Sequence, residues 1–319
     1  MKLNNSTLLI TGGTGSFGKK FISETLRYKN PKKIIVYSRD EIKQWDMNLE
    51  FKNPKINYII GDVRDYQSLL KALKNVDYCI HAAATKIVPT AETNPAECIK
   101  TNIVGAMNVI DACKERNVKK TVALSTDKAS NPINLYGATK LASDKLFTST
   151  YFNIHKDKSK FSVVRYGNVI GSRGSVIPFF LEQAKDGLLT ITDKNMSRFI
   201  ISLEDSVKMV WTALEIMKGG EIFVKKIPSV KILDLAKVIS PKSKIKYIGI
   251  RPGEKIHEQM ISPDEALYTY EGRNFFCIKP SLNFKLSNKF KKVDKNFQYV
   301  SNKNKFLNKK EIEKIIFNI

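Results

Sequence analysis

Two pairs of ionisable side chains lie within the segment STDKASNPINLYGATK, which runs from Ser125 to Lys140. Tyr136 and Lys140 are four residues apart, a spacing that places both side chains on one face of a helix. A lysine ammonium beside a phenol favours the phenolate, so we expect Lys140 to lower the pKa of Tyr136. Such a tyrosine can accept a proton from a hydroxyl group as hydride leaves the same carbon. This pair therefore predicts hydride transfer at a carbinol carbon.

The second pair, Asp127 and Lys128, is not needed for hydride transfer. An aspartate beside a lysine can supply a further acid and base, and the alternative is an ion pair that only shapes the loop. Thr126 precedes this pair, and we expect its hydroxyl to bind the same substrate oxygen as Tyr136. The segment therefore predicts redox chemistry and acid–base chemistry at one site.

Apolar runs and amphipathic stretches alternate through the first half of the chain. The runs TLLI, KKIIVYSRD, INYIIGDVRD, VDYCIHAAA, KKTVALSTD and KFSVVRYGNVIG are typical of buried strands, and stretches with helical spacing lie between them. This alternation predicts an α/β fold with a Rossmann-like, doubly wound parallel sheet. We expect a dinucleotide-binding domain at residues 1–170, with contributions from about 200–225, and a smaller mixed α/β substrate region at 171–319. The smaller region should cover the carboxyl edge of the sheet, where open α/β folds bind ligands.

A glycine-rich loop, TGGTGSFG, follows the first predicted strand directly. Glycines at this point allow a tight turn and a close approach of the backbone to a pyrophosphate, while the next helix presents its N-terminus to the anion. The loop therefore predicts a dinucleotide cofactor. We expect the cofactor to contact Gly12, Thr14, Gly15, Ser16, Phe17, Gly18, Ser38, Arg39, Asp40, Lys43, Asp62, Val63, Ala82, Ala83, Ala84, Lys86, Thr101, Tyr136 and Lys140.

The end of the second predicted strand bears on which dinucleotide is bound. NAD sites commonly place an acidic residue there for the ribose hydroxyls, whereas this strand is followed by Ser38, Arg39 and Asp40, with Lys43 close behind. An arginine can pair with a 2′-phosphate in a forked geometry. We therefore expect NADP, tightly bound and recycled, and the alternative is NAD held by Asp40.

The composition limits the classes of protein to be considered. The 54 Lys and Arg residues exceed the 31 Asp and Glu residues, a net charge of +23, but the lysines are scattered except in the tail from Lys285 to Lys314. We interpret this charge as overall composition and expect no nucleic-acid partner. The four cysteines and three histidines show no metal-binding spacing. No apolar run approaches the ~18 residues of a membrane span, so we expect a cytoplasmic protein without metal.

Several longer segments together carry a resemblance to a known family. The glycine loop with Tyr136 and Lys140 resembles the extended short-chain dehydrogenases/reductases. More narrowly, HAAATKIVPTAETNPAECIKTN, ALSTDKASNPINLYGATK, VVRYGNVIGSRGSVIPFF, NMSRF and RPGEKIHE resemble the inverting UDP-N-acetylglucosamine 4,6-dehydratases, soluble enzymes that open pseudaminic acid synthesis. The resemblance covers roughly Leu8 to Glu271. The sequence departs from the family pattern at Ile87, where Gln is frequent, and at Thr93, where an aromatic residue is common.

This resemblance implies roles for both pairs. Related dehydratases carry Thr-Asp-Glu where this chain has Thr126, Asp127 and Lys128. The resemblance implies that Tyr136 deprotonates the C4 hydroxyl, and that Asp127 and Lys128 act as acid and base while water leaves C5 and C6. For Lys128 to be a base near neutral pH its pKa must be lowered, and we expect burial and the charge of Lys140 to lower it.

The resemblance also implies the residues that hold a nucleotide sugar. They are Lys86, Thr126, Asn168, Ser175, Val176, Arg198, Arg251 and Glu254, with the two arginines expected at the phosphates. Family members of this kind assemble as homo-oligomers, with a hexamer as the implied form. The sequence leaves open whether the product is used for flagellin modification, a capsule or a lipopolysaccharide.

Three alternatives remain open from the residues. A nucleotide-sugar 4-epimerase or reductase of the same superfamily would not require the pair Asp127 and Lys128. A regulator that has lost turnover would not require Thr126, Tyr136 and Lys140. A retaining or membrane-anchored relative would carry N-terminal spans and commonly Met in place of the tyrosine.

Overall fold

The computed structural model describes residues 3–149, 158–172 and 174–317. The strands are β1 (Thr7–Thr11), β2 (Lys33–Ser38), β3 (Ile56–Ile60), β4 (Tyr78–His81), β5 (Lys120–Thr126), β6 (Lys160–Tyr166), β7 (Asn168–Val169), β8 (Leu188–Ile191), β9 (Ser197–Ile201), β10 (Ile222–Lys225), β11 (Ser229–Lys231), β12 (Lys244–Tyr247), β13 (Gln259–Ile261), β14 (Thr269–Glu271), β15 (Phe275–Ile278), β16 (Lys291–Lys292) and β17 (Tyr299–Val300). The helices are α1 (Ser16–Tyr28), α2 (Glu41–Phe51), α3 (Tyr66–Ala72), α4 (Val88–Thr93), α5 (Pro95–Ile99), α6 (Gly105–Glu115), α7 (Leu135–Ser149), α8 (Val176–Ala184), α9 (Leu203–Ile216), α10 (Ile232–Ile239), α11 (Pro263–Ala266) and α12 (Lys309–Phe317).

The main sheet has the strand order β16-β14-β15-β10-β6-β5-β4-β1-β2-β3 in the described part of the chain. The strands from β10 to β3 in this order run parallel, and β15 then pairs antiparallel with β10. Helices flank the sheet, with α1 packed against α9 and α6 packed against both α3 and α7. The prediction of a doubly wound parallel sheet is confirmed.

The central strands form because they carry consecutive apolar residues. In β1, Leu8, Leu9 and Ile10 are all fully buried, so both faces of the strand are covered, as expected for a parallel sheet between helix layers. The flanking helix α1 is amphipathic and buries Phe21 and Ile22 against the sheet. Burial on both faces therefore fixes the position of the loops at the carboxyl ends of these strands.

The chain after residue 171 contributes strands to the main sheet and also forms a second apolar cluster. Strands β10, β14, β15 and β16 extend the main sheet, and the sequence patterns do not predict the last three of these. A second apolar cluster contains residues of α8, β8, β9, α10 and α12, including Phe180, Leu235 and Ile312. The basic tail thus folds in part, because Ile312 and Ile316 of α12 are buried in this second cluster.

One predicted strand differs from the expectation. The run KFSVVRYGNVIG, expected as one strand, divides into β6 in the main sheet and β7, which pairs with β9 in a smaller sheet. The break falls at Gly167, where a side chain would clash with Phe199. A π-helix at Lys100–Val104 joins α5 to α6. Among the described residues, no helix is long and apolar enough to cross a lipid bilayer.

Candidate active site

A cavity of about 1080 Å³ lies where the carboxyl ends of β1, β2 and β5 face the second apolar cluster. All the residues that the sequence predicts for catalysis, for the cofactor or for the substrate line this cavity. They are Gly12, Thr14, Gly15, Ser16, Phe17, Gly18, Ser38, Arg39, Asp40, Lys43, Asp62, Val63, Ala82, Ala83, Ala84, Lys86, Thr101, Thr126, Asp127, Lys128, Tyr136, Lys140, Asn168, Ser175, Val176, Arg198, Arg251 and Glu254. The tertiary structure therefore brings these residues together, while their individual roles remain predictions.

The glycine loop forms a cradle at one end of the cavity. Gly12 has a φ of +65°, and a Cβ there would lie 2.9 Å from the backbone of Ala83. Gly15 precedes α1 and provides no side chain to cap the first turn of that helix. An uncapped helix N-terminus beside a loop without side chains suits a pyrophosphate, because backbone N–H groups can donate to its oxygens. The residues present therefore fit a dinucleotide.

The loop after β2 holds two residues that could bind the cofactor's ribose, Arg39 and Asp40, and they have different surroundings. Asp40 is the N-cap of α2, since its carboxylate accepts a hydrogen bond from the backbone N–H of Lys43 at 2.9 Å and forms an ion pair with the Lys43 side chain. Arg39 is 58% exposed and lies 3.5 Å from Asp62. The hydroxyl of Ser38 lies 2.8 Å from that of Thr14. The aspartate thus stabilises a helix, and the arginine side chain remains at the edge of the cavity.

Asp62, which the sequence predicts to contact the cofactor, is also held by Arg64. It accepts hydrogen bonds from the backbone N–H and from Nε of Arg64, at 2.9 and 2.8 Å. Burial raises the pKa of Asp62, but its contacts with Arg64 lower the pKa by more, so the net direction is down. Asp62 is therefore an ionised acceptor at neutral pH.

Tyr136 and Lys140 lie on α7, which packs very closely against the turn at Asp127–Ala129. A Cβ at Gly137 would clash with the carbonyl oxygen of Lys128, so only glycine permits this approach. The expectation that Lys140 lowers the pKa of Tyr136 is wrong in this structure. Burial raises the pKa of Tyr136 to about 12, opposed chiefly by the charge of Lys128 and by a hydrogen bond with Thr126. Burial also lowers the pKa of Lys140, which weakens that residue as a cation.

Lys128 lies between two buried carboxylates. Its Nζ is 3.0 Å from Oδ1 of Asp127 and 3.0 Å from Oε1 of Glu258. The expected lowering of the Lys128 pKa is wrong, because Asp127 and Glu258 together outweigh burial and raise it. Burial is the main reason that the pKa of Asp127 is raised. At neutral pH the lysine is therefore an ammonium, and the aspartate retains a proton more readily than an exposed carboxylate does.

The residues predicted for the substrate surround the other end of the cavity. Arg198 is buried and donates hydrogen bonds to the carbonyl oxygens of Lys255 and Ile256, at 2.9 and 3.0 Å, so it supports the loop before β13. Arg251 is exposed and donates to the carboxylate of Glu254 at 2.9 Å.

Unpartnered polar atoms in the same cavity indicate where a ligand would bind. Among the described residues, Oδ1 of Asn168 and Oγ of Ser175 are buried without a hydrogen-bond partner, and so are Oδ2 of Asp127 and Oε2 of Glu258. Buried polar atoms normally have partners. These four atoms therefore suit a ligand rich in hydroxyl and amide groups.

Glu258 is a residue that sequence reasoning missed. It closes the segment RPGEKIHE, in which Glu254 is predicted to bind the substrate and Glu258 has no predicted role. The only signal in the sequence is an acidic residue directly before the apolar strand β13. Its importance depends on the contact with Lys128, which lies 130 positions earlier in the chain and is visible only in the tertiary structure.

Comparison with known proteins identifies relatives along the whole chain. The family model described as "Polysaccharide biosynthesis protein" matches residues 8–280. A protein of Campylobacter jejuni named UDP-N-acetylglucosamine 4,6-dehydratase (inverting) is 54% identical, with 98% of each chain covered. A protein of Rickettsia bellii named UDP-glucose 4-epimerase is 44% identical, covering 99% of this chain and 96% of that protein.

Solved structures show the same fold. The X-ray structure of Pen from Bacillus thuringiensis superposes with a TM-score of 0.94 at 40% identity, covering 100% of this chain and 99% of that chain. DesIV of Streptomyces venezuelae, a dTDP-glucose 4,6-dehydratase solved with NAD and TYD bound, has a TM-score of 0.71 at 21% identity and supports the fold alone; it covers 78% of this chain and 86% of that chain. The family recognised from the sequence is thereby confirmed: the chain belongs to the polysaccharide biosynthesis protein family and has the extended short-chain dehydrogenase/reductase fold.

Proposed function

We propose that this chain is an NADP-dependent, inverting UDP-N-acetylglucosamine 4,6-dehydratase, a hydro-lyase. Its product would be UDP-2-acetamido-2,6-dideoxy-beta-L-arabino-hex-4-ulose. The observation that carries the proposal is the buried acid–base cluster of Asp127, Lys128 and Glu258 beside Tyr136 in one cavity. The name of the Campylobacter jejuni relative supports it.

The glycine cradle at Gly12 and Gly15 would hold the pyrophosphate of the cofactor, and Lys140 would lie at its nicotinamide ribose. When bound, the cofactor supplies the hydride acceptor for C4 and the hydride donor for C6. The cradle fits this group because its glycines allow the backbone to approach a phosphate closely, and because Gly12, with a φ of +65° and the backbone of Ala83 against it, leaves no room for a side chain.

Within this site Tyr136 and Asp127 each move one proton, and the other named residues bind the substrate. Tyr136 accepts the proton of the C4 hydroxyl, with Thr126 bonded to the same oxygen. The C4 ketone then acidifies C5, and a base takes the C5 proton as the C5–C6 double bond forms. Asp127, whose pKa is raised chiefly by burial, gives a proton to the departing C6 hydroxyl, which leaves as water. Asn168, Ser175, Arg251 and Glu254 would bind the nucleotide sugar.

The decisive experiment is incubation of the purified protein with UDP-N-acetylglucosamine in D₂O, followed by NMR. We expect a 4-keto-6-deoxy product with deuterium at C5 and the couplings of the L-arabino configuration, without net consumption of NADP. A 4-epimerase is the second candidate, because the Rickettsia bellii relative carries that name. Recovery of an unaltered hexose, or of its C4 epimer alone, would overturn the dehydratase and favour that candidate.

The preference for NADP rests on the loop after β2. Arg39 is exposed at the cavity edge, whereas Asp40 caps α2. We expect Arg39→Ala to weaken NADP binding about tenfold or more and to leave NAD binding nearly unchanged, since one charged pair to a phosphate would be lost. Fluorescence titration with both dinucleotides measures this.

Asp40→Asn is the matched control for the dinucleotide preference. Asparagine caps helices about as well as aspartate. The variant should therefore keep the fold and the preference for NADP. A loss of NAD binding in Asp40→Asn, together with normal NADP binding in Arg39→Ala, would assign the ribose to Asp40 instead and make NAD the cofactor.

Three further properties belong to this proposal. The polysaccharide family description supports a role in building a surface glycan, and we propose pseudaminic acid biosynthesis, with flagellin glycosylation as one use of the product. We also propose that the protein acts in the cytoplasm, where nucleotide sugars are made. A homo-oligomer, with a hexamer as the specific form, completes the proposal, and light scattering of the purified protein measures it.

A further inference from the structure

Glu258 is a buried carboxylate that the proposed reaction leaves without a role. Its side chain is 2% exposed, and Oε2 has no hydrogen-bond partner among the described residues. The backbone of Glu258 is held by Ser301, whose hydroxyl accepts from the Glu258 N–H at 3.0 Å and whose own N–H donates to the Glu258 carbonyl at 2.8 Å. The carboxylate is therefore fixed in place from the C-terminal part of the chain.

Two carboxylates lie on either side of the Lys128 ammonium. Asp127 and Glu258 approach Nζ from different segments, each at 3.0 Å, and both carboxylates line the cavity. One carboxylate would suffice to neutralise one ammonium. A second buried carboxylate at the same distance adds negative charge, which the Lys128 ammonium balances together with Arg198, whose Nε lies 3.8 Å from Oε1 of Glu258. The second carboxylate also directs Nζ between the two groups.

We propose that Glu258 is a positioning residue for Lys128, holding it as the ammonium that returns a proton to C5 on the face opposite the one that was deprotonated. The inference deepens the proposed dehydratase function and rests on it. After C6 has been reduced, C5 belongs to the enolate of the C4 ketone. An N–H bond of Lys128 breaks, the enolate electron pair forms the C5–H bond, and the C4 carbonyl is restored. Lys128 is left as a neutral amine and recovers its proton from water.

The charges that face Lys128 determine how its pKa responds to substitution. Burial is the largest influence and lowers the pKa, and Arg198 lowers it further. The cationic side chain of Lys255 also acts on this cluster, and the phenol of Tyr136 lies beside it. Asp127 and Glu258 oppose these influences and raise the pKa. Removing the charge of Glu258 therefore leaves burial and two cations opposed by Asp127 alone, and the Lys128 pKa must fall.

The first test is the pH dependence of dehydration in Glu258→Gln, an isosteric change that removes the charge. In the unsubstituted protein we expect no alkaline loss of activity from Lys128 below about pH 10. In the variant an alkaline limb should appear at a pH lower by about one to three units, the size of effect that an adjacent charge has. Glu258→Asp, which keeps a carboxylate, should restore part of the original profile.

Glu221→Gln is the matched control for the loss of a buried carboxylate. Glu221 is 1% exposed and accepts hydrogen bonds from the backbone N–H groups of Lys218 and Gly219, outside the cavity lining. We expect this variant to lower thermal stability without creating an alkaline limb. If Glu258 had only a structural role, Glu258→Gln would behave in the same way, and the inference would be wrong.

The second test does not depend on turnover. In protein labelled with ¹⁵N-lysine, the Lys128 signal is assigned by its loss in Lys128→Met and followed with pH. We expect no titration of Lys128 below about pH 10.4, the ordinary lysine value, in the unsubstituted protein, and titration below that value in Glu258→Gln. Unchanged titration in a folded variant overturns the inference whatever reaction the protein catalyses. Absence of dehydrated product from the unsubstituted protein overturns the proposed function instead.

Discussion

At the scale of single residues, Tyr136 and Lys128 show how burial alters the chemistry that a side chain can perform. The phenol of Tyr136 has its pKa raised to about 12, mainly because burial disfavours the phenolate. The neighbour that lowers this pKa is Lys128 rather than Lys140. Tyr136 is therefore coupled electrostatically to the acid–base cluster, and the two parts of the site are not independent.

The substitution Tyr136→Phe tests the first proton transfer. It removes one hydroxyl from a buried ring and leaves the apolar contacts of α7 in place. We expect kcat to fall by about 10² to 10⁴, the usual contribution of a positioned proton acceptor, with little change in dinucleotide affinity. Initial rates and fluorescence titration on the same preparation separate the two effects. A variant with normal kcat would show that another group accepts the C4 hydroxyl proton.

At the scale of elements, one close contact determines the geometry of the site. Helix α7 carries Tyr136 and approaches the turn at Asp127–Ala129 so closely that position 137 accommodates no Cβ. This contact brings Tyr136, the proposed proton acceptor for C4, next to the cluster that we propose acts at C5 and C6. Packing thus brings together the pair Asp127 and Lys128 and the pair Tyr136 and Lys140, which are separated in the sequence.

Gly137→Ala tests this contact. Alanine is a better helix former than glycine by about 1 kcal/mol, so propensity alone would make the variant more stable. We expect the opposite, a lower melting temperature and a loss of activity of at least tenfold, because the new methyl group displaces α7 from the Lys128 carbonyl. Calorimetry and initial rates measure the two effects.

Gly187→Ala is the comparison for that experiment. Gly187 has a φ of +68°, and no atom of the described residues beyond its chain neighbours lies within 4 Å of the position that a methyl group would take. Alanine there introduces backbone strain without a clash, so it should lower stability by about 1 kcal/mol and leave the rate largely intact. Equal effects of the two substitutions on activity would argue against a special role for the contact at Gly137.

At the scale of the whole molecule, a buried histidine makes stability depend on pH. His81 ends β4, is 1% exposed, and lies 2.9 Å from the hydroxyl of Thr11 through Nδ1. Thr11 Oγ1 also accepts from the backbone N–H groups of Ala82 and Ala83, so its hydrogen is directed to the histidine. Burial, with a smaller contribution from Lys140, lowers the pKa of His81 from 6.5 to about 3.

This lowered pKa predicts the direction of the pH dependence. Below pH 6.5 the imidazole of His81 binds a proton in the unfolded chain, whereas in the folded protein it stays neutral until about pH 3. The stability that the neutral histidine contributes is therefore complete above pH 6.5 and is lost as the pH falls, at about 1.4 kcal/mol per pH unit. We expect His81→Asn, which keeps an acceptor for Thr11 but does not titrate, to be less sensitive than the unsubstituted protein between pH 6 and about pH 4. Urea unfolding at several pH values measures the difference, and parallel curves for both proteins would contradict it.

Much of the architecture and the location of the site follow from local patterns in the sequence. Runs such as the Leu8–Ile10 segment of β1 specify buried strands, the glycine loop after β1 marks the phosphate cradle, and the spacing of Tyr136 and Lys140 marks a helix face. Each of these signals depends on neighbours within a few positions, and backbone geometry translates such patterns directly into structure. The strands β14 and β16 lack a comparable signal because they are only three and two residues long.

The ionisation states of the site were decided only by the tertiary structure. A pKa depends on burial and on every charge within a few ångströms, and those charges come from distant parts of the chain. Lys128 illustrates the difference: the sequence places one carboxylate beside it, and folding adds Glu258 on the other side and reverses the direction of its pKa shift. The sequence by itself therefore determined the predicted site residues that meet in the cavity, whereas packing added Glu258 to them and decided which side chains hold protons.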